Sequence, residues 1–183
     1  MPADGRVRLR LGTVGWERAD WLRDYYPADI PDDWRLAYYA NDCDCVLIPR
    51  ALWERGDPSA LGAQIDEAPG TLRCFVEVGD VRPRACPLTD RLRPGCDVLL
   101  TASPDPGFEH LPQWVADGAD AWHDPGSTQR LLRWAALDED MRAWRARAAA
   151  LDPRTTALVI DGKRASPARI RELRTLLQLL GRA

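Results

Sequence analysis

Short apolar runs separated by polar turns predict six β-strands in this chain. Most runs are only a few residues long and rich in Val, Leu and Ile, as expected of strands covered on both faces. Glycine and proline are concentrated in the stretches between them, which favours loops there. The predicted strands cover 7–12, 45–48, 72–78, 97–102, 121–123 and 156–160.

Segments with apolar residues at helical spacing alternate with these strands. Asp57 and Ser166 each stand before a proline, a pattern typical of helix starts, because the polar side chain caps an N–H group and proline fits the first turn. Between 79 and 96, several prolines leave room for little more than one turn, at 88–92. The predicted helices cover 31–41, 58–67, 108–117, 127–151 and 166–181.

This alternation predicts an α/β fold with a mainly parallel sheet and helices outside it. Two architectures fit the pattern: a short or incomplete TIM-like barrel, and an open doubly wound parallel sheet. An eight-stranded α/β barrel typically needs about 250 residues, so a chain of 183 residues is expected to lack one or two β/α units. No linker divides the sequence, and we expect a single domain over 1–183.

Charge and composition exclude some function classes. Apolar residues make up 45% and charged residues 29%, values typical of a globular protein and not of a disordered chain. The formal net charge of −3 argues against general affinity for nucleic acid or anionic membranes. The segment from Arg130 onward is basic, so nucleic-acid binding by its helices is kept as a weaker alternative to solvated helix faces.

The five cysteines are irregularly spaced and form no Cys-x-x-Cys pair, which indicates reduced thiols and predicts neither a metal site nor a cofactor. No apolar run is long enough to span a bilayer, and the first ten residues lack the apolar core of a secretory signal. We therefore expect a cytoplasmic protein that does not enter a membrane.

In parallel α/β folds, ligands bind at the carboxyl ends of the strands, so the residues that follow each strand are the candidates. Glu77 and Asp161 are candidate general acids or bases, and Lys163, the chain's only lysine, is a candidate Schiff-base or phosphate-binding residue. The structural alternative is that the carboxylates cap loops or pair with arginines. Candidate ligand-binding residues are Thr13, Trp16, Arg50, Trp53, Ser103 and His123.

The opening segment, 9–53, contains a Gly-Thr-x-Gly-Trp loop, an aromatic followed by Tyr-Pro, a helix containing Tyr-Tyr-Ala and a strand after it. In this chain these are Gly12-Thr13-Val14-Gly15-Trp16, Tyr25-Tyr26-Pro27, Trp34 to Ala40 and Val46 to Ile48. In these motifs the segment resembles the domain of unknown function 72 family, whose members are TIM-barrel-like and have no settled activity.

The chain departs from the family pattern where polar residues are expected. Val14 replaces a serine in the first loop, and Leu47, Pro49, Arg50 and Ala51 replace the Glu, Asn, Ser and Thr of the second strand motif. The resemblance therefore implies the fold more directly than an activity.

Two functions are consistent with these observations. The first is a divergent, non-catalytic relative that acts as a binding or interaction module, with a homodimer as the simplest partner. The alternative is a small-molecule enzyme or binder that uses the strand ends, with Arg50 and Lys163 attracting an anionic ligand and Glu77 or Asp161 acting as acid or base.

Overall fold

Eight strands close into a barrel in the computed structural model, which describes residues 8–135 and 140–182. The strands follow one another around the barrel in chain order, with β8 paired to β1. They are β1 Arg10–Val14, β2 Cys45–Ile48, β3 Arg73–Gly79, β4 Val98–Thr101, β5 Gln113–Ala116, β6 Ala121–His123, β7 Arg130–Trp134 and β8 Thr155–Ile160.

Strand β6 runs against its two neighbours, whereas the other pairs of adjacent strands are parallel. Antiparallel neighbours need only a tight turn, whereas parallel ones need a crossover connection. Strands β5, β6 and β7 are accordingly joined by short connections with no helix between them. This economy lets eight strands fit into 183 residues.

α-Helices cover the crossovers from β1 to β2, β2 to β3 and β7 to β8 and follow β8, whereas 3₁₀ turns join β3 to β4 and β4 to β5. Asp57 caps the fourth helix by accepting from the Ser59 N–H, and Ser166 caps the last by accepting from the Arg169 N–H, as the sequence predicts. Two 3₁₀ turns, Pro83–Ala85 and Thr89–Arg91, lie in the segment 79–96, where little more than one turn is expected. The helices are α1 Ala19–Asp24, α2 Arg35–Tyr39, α3 Arg50–Arg55, α4 Pro58–Glu67, α5 Met141–Ala149 and α6 Pro167–Leu179.

Two predicted helices are wrong. The segment 108–117 contains strand β5, and 127–151 contains strand β7 followed by the shorter helix α5. Leu131 and Trp134 have helical spacing, but both are buried on a strand, because an inner and an outer core each take part of the apolar residues. Residues 136–139 of the predicted helix 127–151 lie outside the described residues.

The barrel closes, so the open doubly wound alternative is excluded and the expectation of an incomplete barrel is wrong. The α/β class and the barrel-like architecture are confirmed. The missing β/α units are the two hairpin connections around β6, in which a turn stands in place of a helix.

The strands separate two apolar cores. The inner core fills the barrel, where Phe75 and Trp114 pack with ring centroids 5.3 Å apart. The outer core lies between the strands and the helices and includes Trp16, Trp53 and Trp144. Because side chains alternate along a strand, the position of a residue in β1–β8 determines which core it faces.

Candidate functional site

The carboxyl ends of the parallel strands hold the two predicted acidic groups, Glu77 near the end of β3 and Asp161 directly after β8. Glu77 follows the inner residue Phe75 by two positions, and Asp161 follows the inner residue Val159 by two. Both carboxylates are half-buried at the same end of the barrel. No hydrogen bond or ion pair joins them to each other or to Lys163 in the described part of the chain.

Glu77 is bound to the start of helix α3. Its Oε2 lies 3.4 Å from the Arg50 backbone nitrogen, and its own carbonyl accepts a 2.9 Å hydrogen bond from Trp53 Nε1. Trp53 is buried, so its indole fixes α3 against β3. Through these contacts Glu77 and Trp53 hold helix α3 against strand β3.

The Arg50 guanidinium is ion-paired on the surface. Its Nε lies 2.6 Å from Glu54 Oε1, and its Nη1 lies 2.6 Å from Asp80 Oδ1. The positive charge of Arg50, which the sequence suggests for binding an anionic ligand, is thus paired with two carboxylates of the protein itself.

Asp161 and Lys163 occupy the turn after β8 and differ in their contacts. Asp161 Oδ1 accepts a 2.6 Å hydrogen bond from the Gly162 N–H, within a turn where Gly162 has φ of +92°. Lys163 is exposed, and its carbonyl accepts from Arg18. The two side chains lie in the same turn, and no hydrogen bond or ion pair joins them in the described part of the chain.

Thr13 and Trp16 are buried within the protein. The Thr13 hydroxyl donates 2.6 Å to the Gly15 carbonyl and lies 3.0 Å from the Tyr39 hydroxyl. Trp16 Nε1 donates 2.5 Å to Gln64 Oε1. Both side chains therefore shape the loop after β1 through bonds that face the protein.

Ser103 and His123 lie apart from this group. Ser103 is exposed in the loop after β4. The premise that placed His123 at the carboxyl-end mouth is wrong: β6 is antiparallel, so its last residue pairs with Arg130 at the start of β7. His123 therefore belongs to the opposite end of the barrel.

An apolar cleft of about 200 Å³ opens beside the loop after β1. Among the described residues that line it, Glu17 is the one with a charge; its Oε1 accepts a 3.0 Å hydrogen bond from Gln64 Nε2 and lies 3.4 Å from Arg35 Nη1. Trp16 forms one buried wall. The lining residues are Val14, Gly15, Trp16, Glu17, Pro49, Leu52 and Leu61.

Because the sequence predicts a helix over 127–151, it does not reveal a charged residue on the inner face of β7, Arg133. Arg133 Nε donates 2.7 Å to Asp120 Oδ1, and its guanidinium lies 5.7 Å from the centre of the Trp122 ring. Along β7 only Leu131 and Trp134 are buried and the other residues are half-buried, so the strand lacks the regular alternation that would indicate it from sequence. Arg133 thereby closes the top of the inner core next to Trp122.

Within 8–135 and 140–182, no three His, Cys, Asp or Glu side chains are grouped as metal ligands. No helix in these ranges combines the length and the apolar character needed to cross a bilayer.

The comparisons with known proteins give one match. No curated protein and no solved structure matches the chain. The model of the family described as Protein of unknown function DUF72 matches residues 10–80, from β1 through β3. The matched segment contains every residue that lines the apolar cleft. The resemblance found in the sequence is thus confirmed for residues 10–80, a part of the chain that runs from β1 through β3.

Proposed function

We propose that this barrel is a divergent, non-catalytic binding module that receives an apolar group in the cleft beside Trp16. The observation that carries the proposal is the contrast between the cleft and the candidate catalytic groups. The cleft is lined almost wholly by apolar side chains. The carboxylates of Glu77 and Asp161 instead accept hydrogen bonds from the backbone N–H groups of Arg50 and Gly162.

The size of the cleft favours a small group. A buried apolar cavity of about 150 Å³ is enough to bind benzene, and the cleft here is about 200 Å³. A single aromatic or branched aliphatic group, free or presented by a partner protein, matches this volume. Its transfer from water would be favourable by roughly 25 cal/mol for each Å² of apolar area buried.

Titration with indole, followed by NMR, tests the proposal. Indole is expected to shift the Trp16 indole N–H resonance and the Gly15 amide, because both residues line the cleft. The variant L52R places a charge in the cleft and is expected to abolish the shifts. The control L22R alters an exposed leucine on α1 and is expected to retain them. Absence of shifts at millimolar indole, or equal shifts in L52R, contradicts the proposal.

The alternative, a small-molecule enzyme that uses Glu77, Asp161 and Lys163, requires these three side chains to act at one point. Internal hydrogen bonds of the carboxylates count against it. The pairing of Arg50 with Glu54 and Asp80 counts against an anionic ligand at this end.

The partner of such a module is proposed to be a second copy of the chain. Strands β5 to β7 have no helix between them, so part of the helical layer of a regular α/β barrel is missing there. Light scattering coupled to size exclusion at micromolar concentration tests this, and a strict monomer contradicts it.

A further inference from the structure

Two arginines face the barrel interior from its amino end. Arg10 begins β1 on the face that carries Val14, and Arg73 begins β3 on the face that carries Phe75. Cys45 lies between them on β2, directly opposite Arg73 in the parallel ladder. The two side chains therefore enter the same space from either side of β2.

The Arg10 side chain reaches toward the start of β3. Arg10 Nη1 donates 3.3 Å to the Thr71 carbonyl, so its side chain crosses β2 and ends two residues before Arg73. Burial raises the pKa of the Cys45 thiol, and the charges of Arg10 and Arg73 both act in the opposite direction. Both guanidinium groups thus lie close enough to act on one thiol.

Neither Arg10 nor Arg73 has a carboxylate partner among residues 8–135 and 140–182. Other arginines at this end are paired: Arg93 with Asp97 and Arg174 with Asp44. The Nε atom of Arg73 is also buried without a hydrogen-bond partner. Buried donors in native proteins normally have partners, so an unpaired one needs an explanation.

A third polar group lies on the same inner face. Thr155 precedes the inner residue Ala157 by two positions on β8, is 6% exposed, and its hydroxyl has no partner. The floor of the space is apolar, because Cys45, Phe75 and Val98 belong to the inner core. Electrostatic attraction is stronger over such a floor than in water.

We propose that the amino end of the barrel is an oxyanion site in which Arg10, Arg73 and Thr155 bind a phosphate group, free or carried by a small molecule. Two guanidinium forks supply paired donors and two positive charges, which match a doubly charged phosphate. The Thr155 hydroxyl supplies a further donor. The site is separate from the apolar cleft and does not depend on its function.

Thermal unfolding and calorimetry with inorganic phosphate test the site. Phosphate at about 100 times its Kd is expected to raise the unfolding midpoint of the wild-type protein by about 5 °C. Sodium chloride at the same ionic strength is expected to leave the midpoint nearly unchanged. An equal shift with chloride overturns the proposal, since it would reflect general screening.

Variants R73Q and R10Q assign the effect to the site. Each is expected to weaken phosphate binding about tenfold or more, because a charge-assisted donor is lost. The control R55Q removes the same charge from exposed Arg55 on α3, which has no carboxylate partner among the described residues, and is expected to bind phosphate normally. Wild-type affinity in both R73Q and R10Q overturns the proposal. Two variants guard against a folding defect in one.

Phenyl phosphate and acetate distinguish the forms of the ligand. Phenyl phosphate binding as tightly as phosphate indicates a carried phosphate group, whereas much weaker binding assigns the site to the free ion. Acetate has a single charge and is expected to bind less tightly than either. Acetate binding as tightly as phosphate overturns the match to a doubly charged group.

Neighbouring threonines provide a matched pair for the hydroxyl. T155V removes an unpaired buried hydroxyl, so it is expected to preserve the stability of the ligand-free protein and to weaken phosphate binding several-fold. T156V alters the hydroxyl that lies 3.4 Å from the Arg130 carbonyl, and its phosphate affinity is expected to be unchanged. Wild-type affinity in T155V overturns the assignment of this hydroxyl to the site.

Discussion

At the carboxyl end of the barrel, both acidic candidates accept hydrogen bonds from nearby backbone N–H groups, and Arg50 is held by two carboxylates. At the amino end, the outer arginines Arg93 and Arg174 are paired in the same way. The inner arginines there, Arg10 and Arg73, are not paired with a carboxylate in the described part of the chain. The carboxyl-end groups named above thus have hydrogen-bond or ion-pair partners, whereas two inner guanidinium groups at the amino end lack a carboxylate.

This difference shows why position at a strand end does not by itself identify a site. Strand ends are also where helices and loops must be attached, and polar side chains there satisfy backbone groups that would otherwise be unpaired. The carboxyl-end residues of this barrel do such structural work. The informative observation is the combination of two inner arginines that lack a carboxylate partner among the described residues with two buried donors that lack a hydrogen-bond partner there, Arg73 Nε and Thr155 Oγ1, and this combination occurs at the amino end.

The largest expected effect is on the close contact between β1 and β2 above the two inner arginines. A Cβ on Gly12 would lie 1.8 Å from the Cys45 carbonyl oxygen, so G12A must push the strands apart. We expect the free energy of unfolding to fall by about 3 kcal/mol or more, measured by urea denaturation. G70A is the control, since nothing lies within 4 Å of its Cβ. A loss below 1 kcal/mol in G12A would show that β1 and β2 can move apart at low cost.

Asp97 tests the paired arginine of the amino end. Its carboxylate is fully buried and accepts from the Cys74 N–H at 2.9 Å and from Arg93 Nε at 2.9 Å. Hydrogen bonding to Asp97 raises the pKa of Arg93. D97A leaves these donors without an acceptor, and we expect a loss of about 3 kcal/mol in urea denaturation.

D66A is the control for D97A. Asp66 pairs with Arg91 at the surface, where both side chains are about half exposed, and such pairs contribute about 0–1 kcal/mol. Equal losses in D97A and D66A would contradict the view that burial makes the Arg93–Asp97 pair structural.

Gln64 tests the carboxyl end. Its side chain is 4% exposed and accepts from Trp16 while donating to Glu17, so it links the wall of the apolar cleft to its acidic edge. Q64L leaves the buried Trp16 N–H without an acceptor, and a loss of about 2 kcal/mol is expected in thermal or urea unfolding. Q178L, on the exposed face of α6, is the control and is expected to change stability by less than about 0.5 kcal/mol.

The sequence was sufficient to predict the strands and helices that have their own local signals. Asp57 and Ser166 mark their helices because the caps act within one turn. Strand β7 was missed because Leu131, Leu132 and Trp134 are divided between two cores and the resulting spacing looks helical. Closure of the barrel depends on the pairing of β8 with β1, which no local pattern encodes.

The candidate site was less predictable than the fold, because its chemistry depends on direction and pairing. His123 was assigned to the wrong end since nothing local reveals that β6 runs antiparallel. Arg10 and Arg73 look like ordinary polar positions on strands. They gain interest only when the ladder places them on either side of Cys45 and the carboxylates nearby are seen to pair elsewhere.

The smallest expected effect is on thiol reactivity, which tests whether a reagent can reach the inner core from the amino end. Cys96 precedes β4 and is half-buried, whereas Cys45 is fully buried beneath the inner arginines and its pKa is raised by burial. Native protein treated with a disulfide reagent at pH 8 is expected to lose one fast-reacting thiol, and C96S is expected to lose none at that rate, because thiolate access controls reactivity. Mass spectrometry of the labelled peptide identifies the site. Rapid labelling of Cys45 would mean that the space between Arg10 and Arg73 is open to the inner core. The anion would then bind at the mouth of a channel that leads from the amino end into the barrel, and not against a closed apolar floor.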